Sequence, residues 1–290
     1  MAEENFDFLV NTGDIAQSGN RENEWIDYYE ALDTFIPNKT EMFTIGNNDL
    51  CSEQPTLLTD GEDATSKFNH INVLRYFTFE LDPDFDYSFT WNGKQYPLYS
   101  LYYFTYGKFS FMCLNSETAE ASSKTYNNGI EDASFAQAAN KSIEDWFVAV
   151  MTSGKLDTKP FVYMHEMPFT MVTWQFMKGS AGREGSHLNI LNSAGKYRFS
   201  RLFKKYGIRL VFGGHKHTYT LSKPIYDAPD NYITSDNKAS LSVDLMGDVD
   251  DSLSRKPVIQ VTRQQDIDTT NNYARYELVD RITAPTYVMS

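Results

Sequence analysis

Four segments of this chain end an apolar run in side chains able to hold a metal ion or move a proton. "FLVNTGD" ends in Asp14, "MFTIGNND" in Asn47, Asn48 and Asp49, "FVYMHEMP" begins its polar end at His165, and "LVFGGHKH" carries His215 and His217. A carboxylate such as Asp14 at the mouth of a buried strand is costly unless positive charge sits before it. Each motif alone is weak. Gly-Asp is common in turns, and a single strand-end His is most often a hydrogen-bonded structural residue. "GGHKH" says more, since His-x-His on extended chain can present two imidazoles to one site. The ordered set decides the matter: G-D, G-N-x-D, a strand-end His with x-x-Pro, then G-H-x-H, each after an apolar run.

The elements that must position these residues are short. "FDFLV" (6–10), "MFTIG" (42–46), "FVYMH" (161–165) and "IRLVFGG" (208–214) read as interior strands. Helical spacing separates some of them. Residues 22–35 repeat Trp25, Tyr28, Tyr29, Leu32 and Phe35 at three- and four-residue steps. Residues 131–152 do so through Phe135, Ala139, Ile143, Trp146, Phe147 and Val150. "KYRFSRLFKKYG" places Phe199, Leu202, Phe203 and Tyr206 on one face, with Gly207 suited to the C′ position. Residues 96–117 read as a hairpin turning near Gly107, and "PVIQVTR", "YARYELVD" and "PTYVMS" as strands. This alternation predicts an α/β layered fold. In open α/β folds ligands bind beyond the carboxyl ends of the strands, so the four motifs share one rim. The glycines at 13, 46, 213 and 214 suit backbone that must come close to a ligand. No repeat and no Pro-, Gly- or Ser-rich linker divides the chain, so residues 1–290 read as a single domain.

Composition narrows the function classes. The chain has 290 residues, 41% of them hydrophobic and 15% aromatic, enough for a packed core. Its formal net charge of −13 is a poor match for nucleic acid or an anionic membrane, so positive charge for phosphate must come locally, most simply from metal ions. No apolar stretch is long enough to span a bilayer, and residues 1–15 lack the layout of a signal peptide. Cys51 and Cys113 read as two reduced thiols rather than a disulfide framework.

With these motifs in order, the chain resembles the calcineurin-like metallophosphoesterases from about residue 6 to about residue 220. The resemblance implies a β-sandwich flanked by helices, four layers in α/β/β/α order, with the trailing strands in a second sheet. It implies two divalent ions, Mn, Fe or Zn, at the strand ends. Asp14 would bridge both; Asn47, His165 and His215 would complete one site, and His217 would bind the other. A hydroxide between the ions would attack the phosphoester in line. Asn48 and Asp49 would stand beside the reacting group.

The chain departs from the family pattern in two places. The family opens with a D-x-H motif on a strand before G-D, and the residues before Asp14 contain no His. The expectation is therefore a domain incomplete at its N-terminus, and at its C-terminus too, where "ITAPTYVMS" stops short. An N-terminal segment or another chain would complete the second ion's ligands; without them the chain would hold one ion or none. Asn48 occupies the place of a family His, and an amide cannot give a proton near neutral pH. In the loop "GREGSHLN", Arg183 and His187 are candidates to contact a phosphate oxygen, against a plainer reading as surface residues. His70 reads as solvated. Purple acid phosphatases in the wider family have a metal-binding Tyr where Gln17 stands, so the chain is not a typical one. The resulting expectation is a metal-dependent hydrolase of phosphomonoesters or phosphodiesters. The alternative is a phosphoesterase fold with impaired catalysis, serving as a binding or structural part of a larger assembly such as a virion.

Overall fold

A computed structural model of the chain describes residues 6–19, 21–33, 39–50, 76–78, 81–98, 100–117, 133–169, 199–215, 217, 219–228, 256–266 and 275–289. Its first strands, β1 (Phe8–Asn11) and β2 (Thr40–Phe43), pair in parallel with Val10 opposite Met42 and Asn11 opposite Phe43. Side chains alternate along a strand. Val10 and Met42 therefore face one way, onto Tyr102, Cys113 and Tyr163, while Phe43 faces the other, onto Trp25 and Ile45. Trp25 belongs to α1 (Glu22–Ala31), which lies inside the predicted 22–35 helix.

The main sheet has six strands. β5 (Tyr102–Tyr106), β6 (Phe109–Cys113), β7 (Phe161–Tyr163), β8 (Leu210–Gly213) and β9 (Thr220–Leu221) are joined by β13 (Thr286–Met289), in the order β5-β6-β7-β8-β13-β9. One face carries Phe111, Cys113, Tyr163 and Phe212 toward β1 and β2. The other carries Met112, Val162, Val211, Tyr287 and Met289 toward two helices, α3 (Ala133–Thr152) and α4 (Phe199–Tyr206). α3 buries Ala139, Ile143, Phe147 and Val150 there, and α4 buries Phe199 and Phe203. The layers thus run α1, β1–β2, six-stranded sheet, α3 with α4. This is the expected α/β/β/α order.

The helix stops where the sequence punctuates it. Gly207 has φ +76°, its N–H donates to Lys204 O (3.2 Å), and the N–H of Ile208 donates to Phe203 O (2.9 Å). That pair of bonds is a Schellman cap, with the apolar Ile208 and Phe203 both buried.

Two details differ from the sequence reading. Residues 94–97 form β4 and pair with β3 (Ser88–Trp91), so the predicted 96–117 hairpin is confined to β5 and β6. Asn92-Gly93 has positive φ at both residues, the two-residue turn that matches strand twist, and it draws β4 back onto β3. The last strand, β13, lies parallel beside β8 in the main sheet rather than in a second one. The remaining trailing strands, β10 (Ile225–Ala228), β11 (Lys256–Val261) and β12 (Arg275–Leu278), form a sheet of three. A four-residue helix, α2 (Asn47–Leu50), follows β2. No helix among the described residues is long and apolar enough to cross a membrane.

The ring of Phe147 meets those of Phe199, Phe203 and Tyr206 at 5.7–6.0 Å between centroids and is fully buried. Phe147→Ala should cost about 3–5 kcal/mol, read in urea unfolding as a lower midpoint at unchanged m-value.

Candidate metal centre

Four strand ends, those of β1, β2, β7 and β8, deliver Asp14, Asn47, His165 and His215 to one point. After β1 the chain turns at Gly13 (φ +90°) and Asp14 (φ +60°), and after β8 it turns at His215 (φ +73°). Left-handed backbone is uncommon for residues with a side chain, and it gathers at sites whose surroundings hold it in place. The β1 and β2 turns cross almost in contact. A Cβ on Gly46 would lie 2.3 Å from the nitrogen and from Oδ1 of Asp14, so no side chain fits there.

Asp49 ties the crossing together from below. Its Oδ2 accepts from the N–H of Asp14 (2.8 Å) and of Gly46 (2.9 Å), and its Oδ1 accepts from the N–H of Ala16 (3.0 Å). Burial pushes this carboxyl up to about 6 against those three donors, and the charge of Asp14 adds to the rise. Asp14 is then held by Asn48, whose backbone N–H donates to Oδ1 (2.8 Å) and whose amide donates to Oδ2 (3.1 Å).

Donor atoms converge above Asp14. His165 Nε2 lies 3.2 Å from Asp14 Oδ2, 3.1 Å from Asn47 Oδ1 and 3.2 Å from His215 Nδ1. His215 Nδ1 lies 2.7 Å from Asn47 Oδ1. Ligand atoms bonded at about 2.0–2.1 Å around one tetrahedral ion sit about 3.3 Å apart, so these spacings fit a single first-row divalent ion. Asp14, His165 and His215 each offer a ligand atom, all within 4.8 Å of one another.

Each ring is also held from behind. His165 Nδ1 lies 2.7 Å from Thr12 O, an arrangement that leaves Nε2 as the inward nitrogen. His215 Nε2 lies 3.1 Å from Glu166 Oε1. Burial disfavours charge on His165, but the hydrogen bond to Asp14, the charges of Glu117 and Asp14 and the Thr12 carbonyl raise it to about 9. Burial likewise raises Asp14, yet its bond to His165, the charge of that ring, the Asn48 N–H and His215 together hold it below the usual carboxylate value.

The structure thus brings together Asp14, Asn47, Asn48, Asp49, His165 and His215. His217 is exposed, has φ +50° and stands outside the group of converging ligand atoms. Arg183, His187, His70 and Cys51 lie outside the described residues. Cys113 is a buried free thiol. Sequence reasoning missed Glu166, Glu117 and the Thr12 carbonyl. Glu117 ends a fifth apolar run, "FSFMCLNSE", and Glu166 follows His165 directly, so the rule of polar residues at strand ends could have found both.

The chain matches the calcineurin-like phosphoesterase family over residues 1–219 and belongs to it. Among solved structures it is similar to the purple acid phosphatase PPD1 from seeds of yellow lupin (Lupinus luteus), at 13% identity and a TM-score of 0.46. That similarity covers 98% of this chain and spans 36% of the length of the lupin chain. No curated protein sequence matches.

Replacing Asp49 by Asn puts an NH2 group against the N–H of Ala16 in one amide orientation, or against those of Asp14 and Gly46 in the other. Asp49→Asn should destabilise the fold by about 1–3 kcal/mol for each N–H left without an acceptor. The same variant should bind Zn²⁺ more weakly in titration calorimetry, because a neutral amide holds the crossing that carries Asp14 less firmly than a carboxylate does.

Proposed function

We propose that this chain is a metal-dependent hydrolase of phosphomonoesters or phosphodiesters, working with one tightly held divalent ion. The observation that carries the reading is the convergence of Asp14, Asn47, His165 and His215 donor atoms at 2.7–3.2 Å, in a chain of the calcineurin-like phosphoesterase family. When bound, a divalent ion supplies Lewis-acid polarisation of a phosphoryl oxygen and lowers the pKa of a coordinated water toward neutrality. The four residues hold and orient it. Asp49 acts one step back, through the backbone of Asp14 and Gly46. Asn48 lies against Asp14, where an amide hydrogen can steady a phosphoryl oxygen, but it has no proton to give a leaving group near neutral pH. Leaving groups that depart unaided should therefore be favoured. Among the described residues, a second ion would draw on Asp14 and His217, and two ligands make a weak site.

A nitrophenyl phosphoester, whose leaving group needs no proton, should be hydrolysed in the presence of Mn²⁺, and chelator or His215→Ala should abolish the reaction. Full activity in either condition would overturn the proposal. Asn48→His should raise turnover of an alkyl phosphoester by about 10²-fold, since general-acid help is worth about 10²–10⁴.

One observation favours a second reading. With Asn48 in place of a proton donor, the fold could serve as a binding or structural component with turnover lost. Elemental analysis separates the two: one ion per chain supports the hydrolase, and none at near-millimolar supply supports the scaffold.

A further inference from the structure

The two imidazoles of the candidate site are held by opposite nitrogens. His165 is fixed through Nδ1 by the Thr12 carbonyl and turns Nε2 inward. His215 turns Nδ1 inward instead, and its Nε2 meets a carboxylate, Glu166 Oε1, at 3.1 Å. Two anchors hold the backbone that carries that carboxylate. The backbone N–H of Glu166 donates to Ser116 Oγ (2.9 Å), and Ser116 Oγ donates to Glu117 Oε1 (2.5 Å). The carbonyl of the preceding residue, His165, accepts from the N–H of Gly214 (2.9 Å), which joins the β7 and β8 strand ends just ahead of His215. Glu166 itself is buried, and a buried carboxylate is kept where a hydrogen-bond donor offsets its lost hydration.

Building on the metal reading above, we propose that Glu166 is a positioning residue that sets the tautomer and orientation of His215. The carboxylate accepts a hydrogen bond from Nε2–H, which keeps the proton on that nitrogen. That leaves Nδ1 unprotonated and aimed at the point shared with Asn47 Oδ1 and His165 Nε2. A carboxylate behind a ligating imidazole also makes the ring a stronger donor, and removing such a partner typically weakens metal binding about 10–100-fold. The backbone of His215 is left-handed (φ +73°) and follows two glycines.

The test uses the full chain and Zn²⁺. Titration calorimetry should find Glu166→Ala about 10–100-fold weaker than wild type, with Glu166→Gln in between, because Gln keeps an acceptor oxygen at the same reach. In long-range ¹H–¹⁵N spectra of the Zn²⁺-loaded protein, the Nε2 proton of His215 should be seen in wild type and Glu166→Gln and lost to exchange in Glu166→Ala. The Nδ1 proton of His165 should persist in all three, a contrast that a general loosening of the fold would not produce. If wild type binds Zn²⁺ and Glu166→Ala binds equally well with its His215 proton unchanged, the positioning role is overturned while the metal site stands. If wild type takes up no Zn²⁺, the metal reading falls and this role falls with it.

Discussion

Asp14 is a charge held on left-handed backbone at the mouth of β1, and much of the rim around it follows from that one constraint. Removing a carboxylate from water costs several kcal/mol. A hydrogen bond to a charged group returns about 1.5–3 kcal/mol. Two donors from Asn48 and a third from the His165 ring are thus of the right size to keep Asp14 ionised. Its backbone needs separate support, and Asp49 supplies it by accepting the Asp14 N–H. Burial and the repulsion between these two carboxylates raise Asp49 to about 6, against the three N–H groups that it accepts. A divalent ion held by Asp14, His165 and His215 would meet the same demand for positive charge.

The layers explain why that demand can be met at one place. β1–β2 lies on one face of the six-stranded sheet, and α3 and α4 cover the other. Parallel neighbours β6, β7 and β8 end on the same side, so their following residues reach the rim together. The Gly13–Gly46 crossing then lets the β1 and β2 turns close up until Asp14 and Asn48 are in hydrogen-bond contact. The apolar core fixes the direction of each strand, and the glycines fix the last few ångströms.

Much of this was legible in the residues. The apolar runs preceding Asp14, Asn47, His165 and His215 became strands or their immediate continuations, and the three- and four-residue spacing of α3 and α4 marks the faces that are buried. Gly207 marked a helix end that the Schellman bonds realise. Strand partnership was less legible. Residues 96–97 carry the same aromatic, β-forming character as the hairpin after them, and only the Asn92-Gly93 turn assigns them to β3 instead. The placement of β13 beside β8 is a pairing across more than seventy residues, which no local pattern encodes.

The sequence by itself determined which residue types stand at the strand ends, and hence the chemistry open to them: hard oxygen and imidazole donors, and an amide where proton transfer would need an acid. Those properties are local, set by side-chain identity and by the apolar run before each motif. Tertiary structure decided which donors meet. It placed Asn47 Oδ1 against both imidazoles, left His217 exposed, and set Glu166 behind His215. These outcomes depend on the relative positions of strand ends distant in the chain, and packing between the sheets, rather than any local spacing, sets those positions.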